Sequence, residues 1–128
     1  MAEMTPEIAA LSRELEICRR TLIALGDETR QHLMLEMMRI GKCEGVRVGE
    51  ITQGTHLSRP AVSHHLKVLR EAGIVKMRRE GTKNYYYFDA DAGAMNDLIH
   101  FFTHAQSIME HLPDRSKAIG CTKKGDSL

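Results

Sequence analysis

Residues 55–89 read THLSRPAVSHHLKVLREAGIVKMRREGTKNYYYFD, and the punctuation of this stretch decides the fold. Ser58 is a good N-cap, Pro60 falls in the first turn, and Gly73 stands where a helix meets its C′ glycine. Between them Val62, His65, Leu66 and Leu69 share one helical face. Arg59, Ser63, His64, Lys67 and Arg70 point largely elsewhere, and His65 reads as a packed structural histidine. Beyond Gly73, residues 74–80 and 84–89 are β-rich runs flanking Gly81-Thr82-Lys83, the pattern of a hairpin. Four consecutive aromatics, Tyr85 to Phe88, would be unusual on a helix surface.

Working towards the N-terminus, a short helix is expected over 48–53, ended by Gly54. Gly41 and Gly45 mark the loop before it. Asp27 caps a helix running to about Ile40, with Leu33, Met34 and Met37 on one face. Thr5 and Pro6 open the first helix, which reaches Leu25. Its apolar positions Ile8, Leu11, Leu15, Cys18, Leu22 and Leu25 step 3, 4, 3, 4, 3, a heptad seam that suits a partner helix. A last helix is expected over 91–112, stopped by Pro113. Met95, Leu98, Phe102, Ala105, Met109 and Leu112 repeat the same steps there.

Two short helices joined by a tight turn and followed by a basic hairpin describe a winged helix-turn-helix. The expected fold class is mainly α with a β-hairpin wing and five helices, dimerising through the first and last. Residues 1–113 form one domain for DNA binding and dimerisation, and 114–128 a polar, flexible tail.

Composition sets the frame. A chain of 128 residues with 42% hydrophobic and 27% charged side chains is ordinary globular protein, which excludes wholesale disorder. No apolar run approaches the ~20 residues of a membrane span, so no membrane partner is expected. The first twenty residues lack the basic start and apolar core of a secretory signal, and a cytoplasmic location is expected. Cys18, Cys43 and Cys121 are too scattered for a disulfide framework. Cys18 reads as a small core residue, with an intersubunit bridge under oxidation as the weaker alternative.

The formal net charge of +1 hides an asymmetry. Residues 1–58 carry −2, residues 59–83 carry +5, and residues 84–128 carry −2. A localised basic patch is the footprint of phosphate binding, although alone it also fits a solvated face. Here it coincides with the helix-turn-helix and wing. Candidate DNA contacts are Ser58, Arg59, Ser63, His64 and Lys67 on the recognition helix, and Arg78, Arg79 and Lys83 in the wing. Arg59 suits a bidentate contact to guanine, and Ser63 suits a base or a phosphate. Gln53, Thr55 and His56 fit a backbone contact or ordinary loop polarity equally well.

The segments ALGDETRQHLMLEMM and LSRPAVSHHLKVLREAGIVKMRREGTKNYYYF closely resemble the ArsR/SmtB family of bacterial winged-helix repressors. The resemblance covers about Leu22 to Phe88 and is densest from Ser58 to Gly81. It implies a homodimer built on the terminal helices, with Leu11, Leu15, Cys18, Leu22, Leu98, Phe102 and Met109 at the interface. It also implies double-stranded DNA with a two-fold symmetric operator as partner, and release by an inducer. Two-fold dimers present recognition helices ~34–36 Å apart, one turn of DNA.

Many members of that family sense metals. One family site uses a Cys-x-Cys pair at the third helix, and here Arg47 and Gly49 stand in those places, with Cys43 alone nearby. One thiolate makes no soft-metal site. A second family site lies on the last helix, where His100, His111 and Asp114 match its later positions. Leu98 replaces the first carboxylate, and Asp97 is one residue, ~100°, out of place. His100 and His111 share a face but stand ~16 Å apart along the axis, so only an antiparallel partner helix brings both to one ion. Zinc or another divalent transition metal would be the cofactor there. A solvated polar face with ordinary histidines is the other reading.

The expected function is therefore a sequence-specific transcriptional regulator, a dimeric repressor rather than an enzyme. No nucleophile–base set or phosphate loop stands out, and His64 and His65 diverge by ~100° on a helix. A winged-helix architectural or protein-interaction module without an operator is the alternative.

Overall fold

Three side-chain caps set three of the helices in a computed structural model that describes residues 4–91, 93–116 and 122–123. Thr5 accepts from the Ile8 amide and starts α1 (Pro6–Leu25). Asp27 accepts from the Arg30 amide at 2.9 Å and starts α2 (Glu28–Ile40), which ends on Gly41 at φ 56°. After a loop, α3 (Val48–Gln53) leads to Ser58, whose hydroxyl accepts from the Ala61 amide and starts α4 (Arg59–Glu71). Each cap gives a partner to an amide that the helix itself leaves without one.

The end of α4 is equally determined. Gly73 adopts φ 80°, its amide bonds the Arg70 carbonyl, and the Ile74 amide reaches back to Leu69. These two bonds form a Schellman motif, which turns the chain out of the helix and into the wing.

The wing pairs β1 (Val75–Glu80) antiparallel with β2 (Lys83–Phe88), from Val75 opposite Phe88 to Glu80 opposite Lys83. The link between the strands is therefore Gly81-Thr82, with Gly81 at φ 60°. Lys83 belongs to the strand, not to the three-residue loop expected from sequence. Val46 adds a bridge on the other side of β2, exchanging two 2.8 Å backbone bonds with Tyr86. Gly45 makes this approach possible. It sits at φ 99°, and a Cβ there would lie 2.9 Å from the Tyr86 carbonyl oxygen.

One core joins these elements. Leu33 and Met37 from α2, Ile51 from α3, Val62, Leu66 and Leu69 from α4, and Val75 and Tyr86 from the wing are all buried together. The expected face of α4 thus holds. His65 sits at its margin, half-buried, where Arg30 Nη1 lies 3.4 Å from His65 Nδ1. A guanidinium only donates, so this contact is a hydrogen bond when Nδ1 carries no proton. Thr21 on α1 is also buried and donates to the carbonyl of Ala72, at the end of α4.

The last helix, α5 (Gly93–Glu110), is two residues shorter at each end than its sequence pattern suggested. Asp89 accepts from the Asp91 amide, holding a turn before it. The His111 and Leu112 amides bond three residues back, tightening the chain out of the α-helix. β3 (Pro113–Asp114) then pairs antiparallel with β4 (Thr122–Lys123), so the segment expected as a tail begins with a short paired strand.

α5 packs along α1 within the same chain. Cys18 and Leu98 are buried, and Leu11, Leu15 and Leu22 are half-buried. On α5 the inward residues besides Leu98 are Ala94, Phe101, His104, Ala105 and Ile108. Phe102 and Met109 point outward, at 53% and 66% exposure. The apolar arc of α5 is wider than one heptad seam, and the chain itself uses the stripe next to the expected one. No helix among the described residues is long and apolar enough to cross a membrane.

Leu66 is fully buried, so Leu66→Ala should cost about 2–5 kcal/mol in chemical denaturation. A cost below 1 kcal/mol would contradict a tightly packed α4. Burial holds the His65 imidazole below its ordinary range, with Arg30 acting the same way and Asp27 opposing. The stability of the neutral ring is complete above the unfolded value of about 6.5 and is lost as pH falls below it. His65→Gln should flatten stability against pH in that window, measured by urea unfolding between pH 8 and 5.

Candidate nucleic-acid interface

The buried stripe of α4 leaves a polar stripe facing solvent. Ser58, Arg59, Ser63, His64, Lys67 and Arg70 are all exposed. Ser58 uses one lone pair of its hydroxyl in the cap, which leaves its proton free to donate.

The cations of this region are not equivalent. Lys76 is paired with Asp89 at 3.2 Å and Asp91 at 3.6 Å, and its hydrogen bond to Asp89 holds the ammonium above the usual lysine range. Arg78 is tied to other groups of the protein although its side chain is 41% exposed. Its Nε meets Glu80 at 3.0 Å, its Nη2 donates to the Glu44 carbonyl at 2.9 Å, and it lies 5.1 Å from the Tyr85 ring centre. Arg79 donates to the Gly81 carbonyl and keeps its charge unpaired. Arg59, Lys67, Arg70, Arg79 and Lys83 make no ion pair among the described residues. Of the wing residues expected to meet DNA, Arg79 and Lys83 are therefore available and Arg78 is a structural tie.

Arg59 differs from expectation as well. Its guanidinium folds back over α3, where a Cβ on Gly49 would stand 2.9 Å from Nη2. It lines a cleft of about 420 Å³ with Lys42, Arg47, Gln53 and Tyr85. Ser63, His64 and Lys67 remain as the outward set on α4. Little in the local sequence marks Arg47 or Tyr85 for this place. Arg47 lies in a segment of net negative charge, and its ring partner comes from a distant strand at 6.0 Å.

The candidate metal residues separate. His100 Nε2 lies 3.3 Å from Glu14 of α1, and His104 Nδ1 lies 2.7 Å from the same carboxylate. The hydrogen bond from His104 holds Glu14 below the usual carboxylate range. His111 turns to the Ser107 carbonyl at 2.7 Å, one turn back on its own helix. Asp114 accepts from the Ser116 amide. No group of three or more His, Cys, Asp or Glu among the described residues is placed to hold a metal ion. Arg47 and Gly49 supply no donor at α3. Cys43 is exposed, Cys18 is buried with its thiol pushed up by burial, and Cys121 lies outside the described residues.

Comparison with known proteins agrees with this geometry. Residues 27–77 match the family model described as bacterial regulatory protein, arsR family. The chain is 40% identical over 84 residues to an HTH-type transcriptional regulator of Mycobacterium tuberculosis, covering 64% of this chain and 75% of the relative. It is 34% identical over 94 residues to the transcriptional repressor SmtB homolog of Synechocystis, covering 73% and 67% respectively. The solved structure of NolR from Sinorhizobium fredii superposes with a TM-score of 0.55 at 27% identity, covering 80% of this chain and 95% of that one.

The wing hangs on Gly45. Gly45→Ala meets both a left-handed backbone and the Tyr86 carbonyl. It should cost about 1–3 kcal/mol and speed amide exchange at Val46 and Tyr86. Unchanged exchange there would show that the bridge does not depend on this glycine.

Proposed function

This chain belongs to the arsR family of bacterial regulatory proteins, and from that premise we propose that it is a dimeric repressor which covers a two-fold symmetric operator in double-stranded DNA and leaves it when an inducer binds. It is a transcriptional regulator and not an enzyme, as its relatives are. One observation carries the finer reading. Ser63, His64 and Lys67 face outward from a helix whose opposite side is fully buried, with unpaired Arg79 and Lys83 in the adjoining wing.

α4 enters the major groove, where His64, Ser63 and Lys67 reach base edges. Ser58 and Arg59 at its start, with Arg79 and Lys83 in the wing, hold phosphates. Arg78 acts indirectly, by tying the wing to the loop before α3. The dimer forms on the outer face of α5. Ile99, Phe102 and Met109 are 57%, 53% and 66% exposed in one chain, rimmed by Thr103, Gln106 and Glu110. An apolar patch with a polar rim fits a second copy in a cytoplasmic protein whose operator is symmetric. Leu11, Leu15, Cys18, Leu22 and Leu98 support that face from within the protomer, and Phe102 and Met109 meet the partner.

An inducer acts only through its different affinities for the DNA-fitting and non-fitting dimers. A zinc titration of the dimer, with operator affinity read at each step, decides whether that inducer is a metal. Loss of affinity that disappears in His100→Ala and His111→Ala assigns the ion to α5. Unchanged affinity removes a zinc-type ion from the mechanism.

His64→Ala should weaken operator binding by about 1–3 kcal/mol and narrow the gap to random duplex. Lys83→Ala should weaken both duplexes alike and make the salt slope shallower by about 1. Wild-type affinities for both variants would sink the reading, and wild-type protein with no duplex affinity would favour a protein-interaction module. Phe102→Glu should turn the dimer into a monomer in sedimentation, with operator affinity falling in parallel.

A further inference from the structure

A cleft of about 420 Å³ lies where α3, the start of α4 and strand β2 meet. Two arginines line it, and neither has an acidic partner among the described residues. Arg47 stands just before α3, 6.0 Å from the Tyr85 ring centre. Arg59 is the first residue of α4, its guanidinium lying over the bare Cα of Gly49. Two acids line the cleft as well. Glu50 takes Lys42 in an ion pair at 2.5 Å and also accepts from the Arg47 amide. Glu44 offers its backbone carbonyl to Arg78 and contributes the one carboxylate of the cleft with no ion pair among the described residues. Glu50 feels the Arg47 charge as well, but its ion pair is with Lys42. An aromatic ring orients one, and a missing side chain makes room for the other.

Two guanidiniums around one cleft match a phosphate, whose oxygens accept several forked N–H donors together. We propose that Arg47 and Arg59 jointly grip one backbone phosphate of the bound DNA, flanking the bases that α4 reads. This rests on the DNA-binding reading above and adds a contact outside the recognition helix and wing. The DNA backbone is the source because the cleft is walled by the first residue of the recognition helix and by a wing strand. A phosphate seated there touches α3, α4 and β2 at once and fixes the register of all three on the duplex.

The test is a salt titration of duplex affinity for wild type, Arg47→Gln, Arg59→Gln and the double variant, on operator and random DNA. Each single change should reduce affinity by the same factor on both duplexes and make the slope of log K against log salt shallower by about 0.9, one phosphate. The double variant should lose no more slope than either single one, because both arginines share that phosphate. Arg47→Lys should keep the wild-type slope. Gly49→Ala pushes Arg59 aside without altering charge and should mimic Arg59→Gln. Circular dichroism melts of each variant establish that the fold persists. A slope unchanged in Arg47→Gln overturns the proposal while the His64 and Lys83 results leave the DNA reading standing. Loss of two phosphates in the double variant overturns the shared site. Inorganic phosphate that raises the melting temperature of wild type but not of Arg47→Gln, with unchanged DNA slopes, assigns the cleft to a free anion and overturns it too. No duplex binding by wild type overturns both readings.

Discussion

Arg30 holds the molecule together at the point where three helices meet. Its Nε donates to the Ala24 carbonyl at 2.8 Å and its Nη2 to the Ile23 carbonyl at 3.2 Å. Both carbonyls lie in the last turn of α1, at the negative end of its dipole, and Ile23 also accepts from the Gly26 amide. The same guanidinium reaches His65 on α4 and stands 3.8 Å from Asp27, the cap of α2. Its side chain is only 11% exposed, so the contacts are made largely out of water. Gln31 adds a 2.7 Å bond to the Leu25 carbonyl, Thr21 bonds Ala72, and Ala24 enters the shared core, so α1 is joined to the DNA-binding unit around this residue.

Local chemistry made the centre of the fold legible. Caps at Thr5, Asp27 and Ser58, and glycines at 41, 54 and 73, act within a few residues of themselves, so their positions can be read directly from the chain. What sequence missed depends on long-range placement. The Val46–Tyr86 bridge joins residues forty positions apart, and nothing near Val46 announces a strand. The inward stripe of α5 lies beside the seam that the periodicity marks, because Ile99, Phe101, Phe102 and Ile108 widen its apolar arc beyond one seam. Periodicity alone does not choose between two overlapping stripes.

The candidate site shows the same division. Splitting the charge along the chain located the basic unit correctly, since local excess charge is a sum over neighbours in sequence. Which cations are free depends on acids far away. Asp89 and Asp91 take Lys76, while the Glu44 carbonyl and Glu80 take Arg78. Arg59 lies back over α3, where Gly49 leaves it space. His100 turns to Glu14, 86 residues earlier, an acid that nothing near the last helix announces.

The tether between Thr21 and Ala72 has a geometric consequence. It fixes the far end of α4, not the end that meets DNA. A helix of 13 residues is about 20 Å long. Pivoting such a rod by about 10° at its tethered end carries the other tip through about 3 Å, close to the ~3.4 Å spacing of successive bases along a strand. The buried Val62, Leu66 and Leu69 hold the helix against such a pivot along its whole length, so the reading tip keeps its place by core packing and not by the tether alone.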